Sequence, residues 1–283
     1  MIDKLKEREP LNNGVFGLTG IGKSYQLEKE MEFYTIRTMY KEARKVLIFD
    51  PQGESTKYPE ISFKNIGQFT KPMIMRINGR KWSAEEKREV ALNVFKLFTN
   101  GMYVINDIDN FAAYSRDQDL IGTLMSNRHK SVDLTLIHQS LEMASPNFWR
   151  NSTTVRIHKQ TSNDTVLRDR CKEADYYELL KISSTVIDNQ FRAGNKRFYL
   201  TVNLRERKIF GCSHEQNFLS ACKEYLALHP VIIKHEVAKM IAFGKISTKE
   251  SKSEKAYLMA QDRILQRLIL YRDTTGTTRS LYI

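Results

Sequence analysis

The sequence predicts an α/β fold: a mostly parallel sheet sandwiched by helices, with an antiparallel edge addition and a small helical C-terminal segment. Three observations predict it. Short β-branched apolar runs alternate with stretches of helical spacing, the pattern of strands joined by crossover helices. One strand–helix joint is unusually rich in glycine. From about residue 197 the style changes to alternating apolar and polar residues, which marks antiparallel strands with one covered face.

The elements follow in order. Residues 1–13 read as a polar arm. Val15-Phe16, followed by glycines, is a buried strand, and Lys23 to about Tyr40 a helix with Leu27, Met31, Tyr34, Ile36 and Met39 at roughly helical spacing. Val46–Phe49 and Met73–Ile77 are parallel strands. Ser83 and Glu86 form a capping box for a helix through Val90, Val94, Phe95 and Phe98, which Asn100-Gly101 stops. Met102–Ile105 and Leu134–Ile137 are strands with a helix between them, and Val155–Ile157 is a further strand. Arg197–Leu204 and Arg207–Cys212 form the antiparallel pair. A Lys/Ser/Glu-rich linker spans 247–254, an amphipathic helix Ala256–Tyr271, and a Thr-rich tail Thr274–Ile283. The expected division is an arm at 1–13, a main domain at 14–230 and a helical C-terminal extension with tail at 231–283.

Bulk properties narrow the class. The chain has 283 residues, ordinary globular composition and a formal net charge of +12, which favours an anionic partner. Cys171, Cys212 and Cys222 fit neither a disulfide framework nor a metal spacing, so reduced thiols are expected. No run approaches the roughly 18 apolar residues of a membrane span. The charged N-terminus has no signal-peptide core, so the chain is expected not to be secreted.

The glycine-rich joint carries the chemistry. Gly17-Leu18-Thr19-Gly20-Ile21-Gly22-Lys23-Ser24 matches G-x-x-x-x-G-K-[ST], the P-loop, in full. Glycines let successive N–H groups turn inward onto phosphate oxygens, and the helix beginning at Lys23 aims its positive end at the same anion. Lys23 is expected at the β- and γ-phosphates, the Ser24 hydroxyl on Mg²⁺, and Tyr25 beside the nucleotide, which is ATP. Such a site also needs a carboxylate at the end of another strand. Met102-Tyr103-Val104-Ile105-Asn106-Asp107-Ile108-Asp109 runs from strand into acids. Its register is open: Asn106 stands where a metal-associated Asp is usual, Asp107 takes either the metal or the water-polarising role, and Asp109 is the alternative.

Over roughly residues 14–160 the chain resembles the FtsK–HerA superfamily of DNA-translocating ATPases, and within it the packaging ATPases of membrane-containing and tailless phages and viruses. The P-loop carries the likeness weakly. Val46-Leu47-Ile48-Phe49-Asp50-Pro51-Gln52-Gly53-Glu54 is similar to the family's strand followed by Asp-Pro-x-Gly-Glu. The strand ending in Asn106-Asp107 is the third stretch, and Asn127-Arg128-His129 leading to Ile137-His138-Gln139 is the fourth.

The resemblance implies a RecA/ASCE-like P-loop NTPase. Gln139 is then the γ-phosphate sensor and Arg128 an arginine finger into a neighbouring subunit, with Arg150 and Arg156 as alternatives. Asp50 shapes the pocket, and Glu54 orients water. It further implies a hexameric or pentameric ring on double-stranded DNA, a capsid-vertex or portal-like partner, and residence in the host cytoplasm or virion. Lys159, Arg168, Arg170, Lys172, Arg192, Lys196 and Arg197 are candidate phosphate-backbone contacts. Two other readings stay open: a helicase-like, conjugation or secretion ATPase, and a nucleotide-dependent switch with weak hydrolysis.

Overall fold

The computed structural model describes residues 9–38, 42–112, 121–122, 124, 130–171, 174–206, 208–211, 220, 223–224, 226–267 and 269–270. Its strands are β1 (Asn12–Phe16), β2 (Lys45–Asp50), β3 (Ile74–Asn78), β4 (Gly101–Ile105), β5 (Val132–His138), β6 (Thr154–Ile157), β7 (Leu200–Asn203), β8 (Lys208–Phe210) and β9 (Ile269–Leu270). They join in one sheet of order β3-β2-β4-β5-β1-β6-β7-β8-β9. Strands β1 to β6 pair in parallel. β7 runs antiparallel to both β6 and β8, so the expected edge addition is present.

The parallel strands β2 and β5 are buried residue for residue, as strands covered on both faces are, and Asp133 and Thr135 are buried with the apolar residues of β5. The helices are α1 (Lys23–Tyr34), α2 (Ala84–Leu97), α3 (Pro146–Asn151), α4 (Asp164–Cys171), α5 (Ala174–Arg192), α6 (Pro230–Ala242) and α7 (Glu254–Arg267). α1 lays Leu27, Met31 and Tyr34 on one face of the sheet, against Val46, Ile48, Met102 and Val104. The larger cluster on the other face runs from Phe49 and Phe95 through Trp149 and Leu180 to Ile233 and Ile264, so the C-terminal helices α6 and α7 share it.

Some element ends are marked by side-chain chemistry. α2 opens with both bonds of its capping box: Glu86 N–H donates to Ser83 Oγ at 3.2 Å, and Ser83 N–H to Glu86 Oε2 at 2.7 Å. α1 ends at Tyr34, short of the expected Tyr40, with Thr35 as its C-cap; the Tyr34 side chain turns inward and donates to buried Asp133 at 2.7 Å. β1 begins at Asn12, so two residues expected in the arm belong to the sheet. The helix expected between β4 and β5 falls largely outside the described residues, as do Cys212, Cys222 and the tail. Among the described residues no helix is long and apolar enough to cross a membrane.

Candidate nucleotide-binding site

Because β1, β2, β4 and β5 are parallel, the loops that follow them emerge at one edge of the sheet. That carboxyl edge is where open α/β sheets place ligands. β5 lies between β1 and β4, which separates the glycine loop from the acid-bearing strand by one strand. This is the order expected of the RecA/ASCE-like branch.

The glycine loop follows β1 directly. Gly17 N–H donates to His138 O, and Leu18 N–H to Lys159 O, so the loop is anchored to the ends of both neighbouring strands. Gly17 has no room for a side chain: a Cβ there would lie 2.8 Å from His158 Cβ. Gly22 caps α1 in the left-handed region, with φ 96°. The Lys23 side chain is buried and donates back to Gly17 O, folding across the loop. Burial pulls its ammonium below the ordinary lysine value, and the charges of Asp107 and Asp109 oppose that pull. Leu18, Thr19, Gly20, Ser24 and Tyr25 are exposed, while Ile21 is tucked under the loop.

The loop after β2 is built around Asp50, which is 1% exposed. Its carboxylate accepts from Gly53 N–H at 2.9 Å and Ser55 N–H at 2.7 Å, with Arg76 at 3.5 Å. Glu54 is thereby held out into solvent. It lines a cleft of about 250 Å³ together with Ser24, Ser55, Tyr58 and Asn106. Asn106 Nδ2 donates to Ser55 Oγ at 3.2 Å, tying β4 to this loop.

The two acids after β4 differ sharply. Asp107 adopts left-handed backbone angles (φ 43°, ψ 48°) and is half-buried. Burial pushes its carboxyl above the usual aspartate value, with Glu54, Asp109 and Asp50 adding to the rise and Lys23 opposing it. Asp109 is engaged on both oxygens: His138 Nδ1 lies 2.7 Å from Oδ1, and Gln139 N–H donates to Oδ2 at 2.9 Å. It therefore clamps the end of β5 and leaves the Gln139 amide exposed at the same edge.

The other basic candidates separate into groups. Arg128 and Lys172 lie outside the described residues. Arg156 is buried on β6 and paired with Glu30 of α1, so it faces its own chain. Lys159 pairs with Asp188 at 2.8 Å, and Arg168 sits over the Tyr177 ring at 5.1 Å. Arg150, Arg192, Lys196 and Arg197 are exposed.

Two neighbours of the loop carry no motif. His158 is 1% exposed, directly behind Gly17, and neither ring nitrogen has a hydrogen-bond partner among the described residues. Burial, then the charges of Arg156 and Lys23, lower its pKa to about 3, so it is a neutral ring. The second is Arg197, whose stem passes Gly22.

An all-protein metal cage is not what this edge offers: among the described residues no three His, Cys, Asp or Glu side chains gather for one. The exposed Ser24 hydroxyl beside Asn106 and Glu54 fits Mg²⁺ of the kind held by one hydroxyl, waters and substrate phosphates.

The sequence matches no family model and no curated protein. In fold the chain is similar to the genome packaging NTPase B204 from Sulfolobus turreted icosahedral virus 2, solved with ATP-gammaS, at 12% identity over 71% of this chain and 95% of that chain, TM-score 0.49. It is similar to B204, the DNA-packaging ATPase from Sulfolobus turreted icosahedral virus, at 16% identity over 72% and 97%, TM-score 0.49. The Legionella pneumophila ATPase DotB is similar at 13% identity over 53% and 40%, TM-score 0.32. By its own phosphate loop and strand order, the chain has the P-loop NTPase fold with an antiparallel edge.

Proposed function

We propose that the chain hydrolyses Mg·ATP at residues 17–24 and uses the turnover to translocate double-stranded DNA, packaging a viral genome into a preformed capsid. The observation that carries the proposal is the gathering of Lys23, Glu54, Asp107 and the Gln139 backbone at one sheet edge, delivered by the loops after β1, β2, β4 and β5.

In this reading the loop N–H groups and Lys23 hold the β- and γ-phosphates, and Lys23 exchanges its bond to Gly17 O for phosphate oxygens. Mg²⁺, held through Ser24, supplies neutralisation of the charge that develops on the phosphates. Asp107 and Glu54 face the γ-phosphate end. Asp107, with its raised pKa, accepts the proton of the attacking water, and Glu54 orients that water. The water oxygen forms the new P–O bond as the bond to the β-phosphate bridging oxygen breaks. Gln139 reports the presence of the γ-phosphate through the clamp that Asp109 makes on its backbone.

The translocation step rests on a ring of five or six copies, with Arg128 completing the neighbour's site, exposed Arg192 and Lys196 facing the duplex backbone, and a capsid-vertex protein docking the assembly in the host cytoplasm or virion. The charge of +12 supports a duplex partner. ATP-dependent displacement of a third strand from a duplex track tests it. Displacement by the parent chain and none by Lys23→Ala is the expected result. ATP hydrolysis without displacement would refute translocation.

One observation favours a second reading. Asn106 stands where a metal-associated carboxylate is usual, and its amide is spent on Ser55. A nucleotide-dependent DNA-binding switch would then bind ATP, change its DNA affinity, and turn over slowly whether or not duplex is present.

A further inference from the structure

We infer that Arg197 and Tyr25 form the platform for the nucleobase of the bound nucleoside triphosphate, and that this base stacks between them. The inference rests on the phosphate-site reading above and extends it to the other end of the ligand.

The sheet order sets the direction in which the nucleotide lies. Asp107 and Glu54 follow β4 and β2, on one side of β1, and mark the γ-phosphate end. The nucleoside must then leave the loop on the opposite side, toward β6 and β7. The segment entering β7 carries Arg197. Its methylenes run beside the loop: a Cβ on Gly22 would meet Arg197 Cγ at 3.6 Å and Cδ at 3.8 Å, which is van der Waals contact. Its guanidinium lies over the Tyr25 ring, 5.9 Å from the centroid. Tyr25 stands in the first turn of α1, immediately after Ser24, and is 54% exposed. Lys29, one turn on, approaches the same ring at 4.5 Å.

This pair has the chemistry of a base sandwich. Every nucleobase presents two π-faces, and aromatic rings and guanidinium planes are the side chains that stack on them. The present separation is too wide for direct stacking, which needs about 3.5–4 Å, and about 1 Å short of the roughly 7 Å that admits a planar base. A rotamer change of one exposed, flexible side chain supplies that opening. Arg197 has no carboxylate partner among the described residues, so the change breaks no ion pair.

Titration calorimetry with the full chain separates the possibilities, using Mg·ATP and Mg·tripolyphosphate as paired probes. The base platform predicts that Arg197→Ala and Tyr25→Ala each weaken ATP by about tenfold or more. It predicts that tripolyphosphate affinity stays at the parent value. Arg197→Lys, which keeps the charge and loses the plane, behaves like Arg197→Ala. Equal loss for ATP and tripolyphosphate would place these side chains on the phosphates and overturn the platform. Unchanged ATP affinity with weakened duplex binding would return Arg197 to the DNA and also overturn it. If the parent chain binds neither probe, the phosphate-site reading itself fails, and the platform falls with it. Unliganded melting temperatures of these exposed-site variants, expected at the parent value, exclude misfolding as the cause of a loss.

Discussion

Replacing Asp109 with alanine separates a clamp from a catalyst. The carboxylate is 8% exposed and accepts from His138 Nδ1 at 2.7 Å and from Gln139 N–H at 2.9 Å. Hydrogen bonds to a charged group contribute about 1.5–3 kcal/mol each. Taking the lower figure for each of the two bonds, the pair sums to about 3 kcal/mol. For a chain of this size that corresponds to a melting point lower by about 6–12 °C. Asp109→Asn keeps the shape and one acceptor, and loses about half as much. Urea denaturation without nucleotide is the assay, with phosphate release measured in parallel. Turnover falls in both variants because the end of β5, and Gln139 with it, loses its anchor. A stability loss below about 0.5 kcal/mol, the range of an ordinary surface change, would refute the clamp. It would return Asp109 to candidacy as the catalytic acid.

Asp107→Asn has the opposite signature. Burial raises the folded-state pKa of this carboxyl above its unfolded value, so its ionised form opposes folding. The stability it contributes is present below the unfolded pKa and lost as pH rises through the folded one. The asparagine variant is therefore more stable than the parent at neutral pH, equal to it in strong acid, and inactive in phosphate release. His158 works the other way: its folded pKa of about 3 lies below the unfolded value of 6.5. Stability is thus lost as pH falls from about 6.5 toward about 3, by up to about 1.4 kcal/mol per pH unit. Denaturation midpoints across that window check it, and a His158→Gln chain shows a shallower slope. Gly22→Ala forces a side chain into the left-handed region at φ 96° and costs about 1–2 kcal/mol. It also weakens Mg·ATP binding, measured by calorimetry, because the loop's N–H groups are re-aimed.

The phosphate site was legible because its chemistry is local: eight consecutive residues make the loop, and a strand before and a helix after are read from the same stretch. The apolar segments of β2, β4, β5 and β6 lie within two residues of the strand bounds, since burial on both faces favours apolar residues even where Asp133, Thr135 and Arg156 interrupt the run. The capping box at Ser83 was legible for the same local reason. What was not legible depends on distant partners. α4 and α5, between β6 and β7, were not read from the sequence; there Arg168, Asp169 and Arg170 in α4, and Ser183 and Ser184 in α5, interrupt the apolar pattern. Ser183 is buried only because its hydroxyl donates to Leu179 O one turn back. The anchoring of Tyr34, the last residue of α1, depends on Asp133, ninety-nine residues away. At the site, the Asp-rich segment after β4 showed three candidates, and only the fold divides them: Asn106 to Ser55, Asp107 toward Lys23, Asp109 to β5. In the sequence Arg197 is one basic residue among many, and its place beside Gly22 follows from β7 pairing with β6.

Initial rates of ATP hydrolysis by the full chain, with and without duplex DNA, test the central claim most directly when run beside Lys23→Ala. Mg²⁺-dependent phosphate release by the parent, strong stimulation by duplex, and neither in a Lys23→Ala chain that remains folded are the expected results. Full hydrolysis by Lys23→Ala would contradict the phosphate site, and parent rates indifferent to duplex would contradict the motor.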